Sequence, residues 1–261
     1  MLIEPLQTCL SLKPKLGKPK KYPKGATLSE FQKIFQDDPF CNWFGLDNPL
    51  MYAAHKTASG MSSIYRQIGI GCERLFQQIL RDHLGLSEEA TKWSYSYSNT
   101  DGKNQTRSLD GRILLQDIIN VANQQRISTW MKDVCEQNGA QTLANNQLGT
   151  VFEVRQGYKS KDSKRQNADL ANAAAAYKNS YLPCIIVFSQ QMDEDLQKRY
   201  YDNGWMVLTG TVGNNDPLHS TYDFMSQVIG YDLADFFKRN SITLRDKINK
   251  VIRTLLDPEA K

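Results

Sequence analysis

Two acidic residues sit among apolar neighbours where chemistry can be built on them. Asp110 lies in Arg107-Ser108-Leu109-Asp110-Gly111-Arg112, and Glu153 lies in Val151-Phe152-Glu153-Val154-Arg155. A buried carboxylate without a partner is costly, so each acid needs one. If the two segments are adjacent strands, the acids can share a divalent cation. Mg²⁺ takes one or two carboxylates, several waters and a substrate phosphate as its ligands. Such an ion polarises a scissile phosphate and lowers the pKa of an attacking water. Arg155 follows Glu153 by two residues and so faces the same side of a strand. Lys159, Lys161, Lys164 and Arg165 come next. Arg155, Lys159 and Lys161 are candidates to neutralise charge developing on phosphate. Glu73 is a further candidate metal ligand, acting through water. Three blander readings stay open. Asp110 before Gly111 also suits a turn, Glu153 and Arg155 also suit a strand-edge ion pair, and the cations at 159–165 also suit a solvated loop.

The elements that must position these residues can be read from periodicity. Residues 28–37 and about 64–83 carry apolar residues at helical spacing, the second with Ile68, Cys72, Leu75, Phe76, Ile79 and Leu80 on one face and Glu73 beside it. Residues 92–99 alternate aromatic and polar side chains, as a half-buried strand does. An Asp101-Gly102 turn joins them to a second strand over 107–115. A helix is expected over about 115–138, with Ile118, Ile119, Val121, Ala122, Trp130 and Val134 on its apolar side. A strand at 150–155 follows, then an alanine-rich helix at 163–179 started by Asp162-Ser163. The continuous apolar run at 182–189 suits a central strand buried on both faces. A helix at 193–203, a strand at 205–210 and helices at 220–239 and 243–256 complete the pattern, with Ser241 or Thr243 as the last cap. Strand–helix–strand alternation after residue 149 implies parallel pairing. The expected fold class is α/β (α+β), a mixed central β-sheet flanked by helices in one domain spanning 1–261. A basic Pro/Lys-rich arm at about 11–25 precedes it, and a helical region at about 220–257 ends it.

Composition narrows the classes. The chain has 261 residues, 40% apolar and 23% charged, with a net charge of +4. That charge is too small to identify a polyanion partner, so its distribution matters more. The arm at 11–25 holds six lysines and three prolines, among them Lys20 and Lys21. It reads as a phosphate-contacting arm or as a solvated linker. Five scattered cysteines show no metal-ligand spacing, which fits reduced thiols in the cytoplasm. No apolar run is long enough to span a membrane. No glycine-rich phosphate loop follows a strand, and no G-x-S-x-G elbow is present. A metabolic α/β enzyme is thus the weaker reading.

An acid on a helix (Glu73), an acid on a strand (Asp110), then acid-x-cation on a strand (Glu153-Val154-Arg155) followed by a helix resembles the PD-(D/E)XK nuclease superfamily, and within it the type II restriction endonucleases. The resemblance covers roughly residues 64–210. Arginine stands where the family has lysine, and arginine keeps its proton, so Lys159 or Lys161 is the alternative holder of that place. The long interval from Asp110 to Glu153 accommodates an inserted helix; Asp117 and Asp101 are substitutes should Asp110 not be the partner. The resemblance implies a restriction-endonuclease-like fold with added terminal helices. It implies Mg²⁺-dependent, sequence-specific cleavage of double-stranded DNA, by a homodimer, within a restriction–modification system. Metal would sit on Asp110 and Glu153 with Glu73. Lys159, Lys161, Lys164, Arg165, Asn167, Lys20 and Lys21 would contact DNA, and base readers would come from 161–167 or the turn-rich loop at 210–219. Two neighbouring classes remain: another nuclease of the same fold (a resolvase or transposon end-cutter), and a DNA-binding protein with a degenerate nuclease fold.

Overall fold

The computed structural model describes residues 1–15, 23–98, 101–137, 147–157 and 163–259. In chain order its main elements are α1 (Leu28–Gln36), α2 (Pro39–Trp43), α3 (Pro49–Leu84), β1 (Trp93–Ser98), β2 (Asn104–Leu109), β3 (Gly111–Leu114), α4 (Val121–Gln137), β4 (Gly149–Arg155), α5 (Ser163–Lys178), β5 (Tyr181–Val187), α6 (Glu194–Asp202), β6 (Met206–Leu208) and α7 (Leu233–Leu256). The chain divides into two compact units, one from Met1–Gly71 with Arg239–Lys261, the other from Cys72–Lys238.

The first unit is helical. Thr27 caps α1 through a capping box with Glu30, and the Asp38 side chain accepts from the first amides of α2. Both devices satisfy helix-start N–H groups that have no intrahelical partner. Leu6, Cys9, Ile64, Val251 and Leu255 form one buried cluster, and Ala26, Phe31 and Tyr52 another. Gly60 permits the close approach of Leu255, since a Cβ there would lie 2.5 Å from a Leu255 methyl. The segment expected to be a helix from 64 begins at Pro49 instead. Asn48 accepts from the Met51 amide at 2.9 Å and starts it, and the small polar residues at 57–63 hide its periodicity.

The second unit holds a four-stranded sheet of order β3-β4-β5-β6 and a separate two-stranded ribbon, β1-β2. β3 runs antiparallel to β4, while β4, β5 and β6 are parallel. This is a mixed α+β architecture, its mixed sheet flanked by helices. β5 is buried along its whole length, as its unbroken apolar run demands. One face packs Val151, Ile185 and Val207 against Ala173 and Ala176 of α5 and Leu196, Tyr200 and Trp205. The alanines let α5 lie close. On the other face Phe152 meets Phe76 of α3 and Phe224, with ring centroids 5.0 and 6.0 Å apart. Each large side chain buried this way contributes about 1.5–3 kcal/mol.

Three expectations need correction. The strand expected over 107–115 breaks at Asp110, so β2 pairs with β1 and β3 pairs with β4. The helix expected from 115 starts at Val121. Ile119 and Val121 are exposed, and its buried side is Ile127, Trp130, Met131, Val134 and Cys135. The two C-terminal helices are one, α7, so Ser241 and Thr243 lie inside it and cap nothing. The break falls earlier, at Gly230, whose φ of 92° stops a π-helical segment (Phe224–Ile229). Asp232 then accepts from the Asp235 amide at 2.8 Å to restart the chain as helix.

No helix among the described residues is long and apolar enough to cross a membrane. All five cysteines are free thiols. Burial pushes the Cys72 thiol up to about 12, well out of the reactive range.

Candidate active site around Arg155

The break at Asp110 does the positioning. β3 pairs Gly111 with Phe152 on β4, and that register carries Asp110, one residue earlier, to the neighbourhood of Glu153. Two hydrogen bonds hold Asp110 there. The Val154 amide donates to its Oδ2 at 2.8 Å, and Gln77 Nε2 on α3 donates to its carbonyl oxygen at 2.7 Å. Gly111 is required beside it, because a Cβ would come within 2.8 Å of the Phe76 ring.

Arg155 joins the acids. Its guanidinium pairs with Glu153 Oε1, lies 3.7 Å from Asp110 Oδ2, and lies 3.6 Å from Asp169 Oδ1 on α5. The side chains of Arg155, Glu153 and Asp169 are 14%, 9% and 4% exposed, so these charges interact with little solvent screening. Glu73 stands one turn before Gln77 on α3, on the side that reaches Asp110. Its carboxyl is held above its usual range, first by burial and then by the Asp110 charge, against the opposing pull of Arg74 and Arg155. Burial disfavours the charged form, and the nearby Asp110 charge adds to it.

Asp169 is the residue that sequence reasoning missed. It is 3% exposed, its Oδ2 accepts from the Tyr200 hydroxyl at 2.7 Å, and its carbonyl accepts from Trp205 Nε1 at 3.0 Å. One turn on, buried Asn172 accepts from the Tyr95 hydroxyl at 2.7 Å. A signal existed: Asp169, Asn172, Ala173 and Ala176 fall on one helical face, so two polar residues share the face that the alanines mark as buried.

The other candidates fare differently. Lys159, Lys161, Lys20 and Lys21 lie outside the described residues. Lys164 and Arg165 fall in the first turn of α5, and their side chains lie outside the described set as well. Asn167 is exposed and accepts from Arg199 Nη2 at 3.1 Å. Asp117 is 4.0 Å from Arg112 and joins a different pair. The loop at 210–219 is stitched to itself and its surroundings. Asp216 meets His219 Nδ1 at 2.8 Å, Asp223 Oδ2 accepts from the Asp216 amide at 3.0 Å, and Pro217 O accepts from Trp130 Nε1 at 2.9 Å.

The donor set suits one kind of metal better than another. Among the described residues no group of three or more His, Cys, Asp or Glu gathers as a ready-made cage. Asp110 and Glu153 instead offer two hard oxygen donors, which is the protein share that Mg²⁺ ordinarily takes when substrate phosphate and water complete its shell. Comparison with protein-family models, with curated proteins and with solved structures found no match to this chain.

Proposed function

We infer that this chain is a Mg²⁺-dependent endonuclease that hydrolyses phosphodiesters of double-stranded DNA, built on the PD-(D/E)XK plan and acting as a type II restriction endonuclease. The observation that carries this reading is the convergence of Asp110, Glu153 and Arg155 where the β3–β4 pairing sets one acid beside the other. The element order gives further support: an acid-bearing helix α3, an antiparallel β3–β4 pair, and a parallel β4–α5–β5 step.

Asp110 and Glu153 would hold the ion, which when bound supplies Lewis-acid polarisation of the phosphate and a more acidic water. Arg155 donates hydrogen bonds to the non-bridging phosphate oxygens and offsets the charge that develops there. It keeps its proton and is no general base. Asp169, fixed by Tyr200, orients the guanidinium. Glu73, on the side of α3 that reaches Asp110, would add a further acid to the ion through water. One such site per chain cuts one strand, so a double-strand break calls for two copies. The dispersed free thiols fit a reducing cytoplasm.

A second reading has its own observation. Arg155 already pairs with both strand acids, as would suit a DNA-binding protein on the same scaffold that no longer cleaves. Incubation of the purified protein with unmethylated phage DNA, in Mg²⁺ or in EDTA, separates the two. Discrete bands that need Mg²⁺ and vanish in Glu153→Ala are expected. A salt-sensitive gel shift without any cleavage would replace the nuclease by the binding protein.

A further inference from the structure

A groove of about 720 Å³ runs between the β1–β2 ribbon and the C-terminal half of α5. Tyr95, Tyr97 and Arg107 line one side of it, and Lys178 and Asn179 the other. The charged residues in its lining, Arg107 and Lys178, are both cationic. Arg107 lies over the Tyr97 ring at 4.3 Å from the centroid, so charge and aromatic surface sit together. The two tyrosines are half-buried and Lys178 is exposed. Among the described residues β1 pairs with β2 alone, in a two-stranded sheet of its own.

One hydrogen bond ties the groove wall to the helix that carries Asp169. Tyr95 donates to Asn172, one turn beyond Asp169 on α5, and Asp169 faces Arg155. Cations interleaved with aromatic rings are the lining that unpaired nucleic acid selects, because phosphates meet the charges and every base has a face to stack.

The geometry points to this groove as the binding site for an unpaired stretch of a nucleic-acid strand. The assignment goes beyond the nuclease reading and adds to it a substrate feature: an unpaired stretch of strand held on the ribbon.

The test uses fluorescence anisotropy with a labelled single-stranded oligonucleotide in EDTA, on the full chain, with circular dichroism to confirm folding. Tyr97→Ala is expected to weaken binding about tenfold or more. Tyr97→Phe, which keeps the ring, retains it. Lys178→Gln lowers the salt slope by ~0.7, and His219→Gln, in the loop after β6, leaves affinity unchanged. Cleavage in Mg²⁺ is measured in parallel. If the wild type cuts DNA while the groove variants bind the oligonucleotide as it does, the groove assignment is overturned and the nuclease reading stands. If the groove variants lose binding but the wild type never cuts, the nuclease reading fails and the groove stands. No binding and no cutting by the wild type overturns both. Loss of a dimer in the groove variants by sedimentation, with oligonucleotide affinity unmoved, would seat a second copy there instead and overturn the assignment.

Discussion

Two polar clusters in the second unit use the same residue types to opposite ends. In the loop after β6, Asp216 and Asp223 meet partners that want a carboxylate. Asp223 Oδ2 accepts from the Asp216 amide, Asp216 Oδ1 accepts from the Leu218 amide, and Asp216 Oδ2 faces His219. Hydrogen bonds to backbone amides settle these charges and shape the turn. Around Arg155, by contrast, the acids crowd one another. Asp110, Glu153 and Asp169 share a guanidinium, and the Asp110 charge helps hold the Glu73 carboxyl up. The first arrangement is complete as it stands. The second draws three acids onto one guanidinium, and it is there that the proposed ion site would lie.

Substitution should break the two clusters differently. Glu153→Ala removes a carboxylate proposed to hold the ion and is expected to lower Mg²⁺-dependent cleavage at least a hundredfold, read as the initial rate on a supercoiled plasmid; His219→Gln should leave that rate within about twofold. Equal losses in both would erase the distinction.

Asp169→Asn comes next in size. It touches no substrate and acts by orienting Arg155, so kcat should fall about tenfold with KM for DNA nearly unchanged, and Tyr200→Phe should reproduce part of that fall. A rise in KM alone would make Asp169 a fold element rather than a positioning residue.

Much of this site is legible in the sequence. Period two along 151–155 places Glu153 and Arg155 on one side, and alternation around 107–112 marks Asp110. Their meeting depends on a strand break at Asp110 that the apolar run through Ile113 and Leu114 conceals. Asp169 is harder still, since its partner Tyr200 lies 31 residues on and becomes one only when α5 and α6 pack on the sheet. The C-terminal helix misleads for a local reason. Ser241 and Thr243 have good capping chemistry, yet Gly230 and Asp232 end and restart the chain first.

Two stability effects sharpen the contrast further. Asp223 is 8% exposed, and Asp223→Ala leaves the Asp216 amide without its acceptor. It should cost about 1–3 kcal/mol, seen in urea unfolding, with cleavage per folded molecule unchanged. Glu73 runs the other way. A carboxyl raised in the folded state binds more protons folded than unfolded, so its cost is absent below the unfolded value near ~4.3 and grows as pH rises through the folded one. Glu73→Gln should therefore raise Tm at about pH 8 and leave it unchanged at about pH 3.5. A lower Tm at the higher pH would contradict a carboxyl held up by burial and by the Asp110 charge.

Calorimetric titration of Mn²⁺, a stand-in for Mg²⁺ on hard oxygen donors, into the full-length protein tests the central claim most directly. A saturable isotherm is expected for the wild type, retained in Asp216→Asn and lost in both Asp110→Asn and Glu153→Gln. Isotherms unchanged by the Asp110 and Glu153 substitutions would contradict it, and would leave Arg155 and its acids a buried ion-pair network that holds β3, β4 and α5 together.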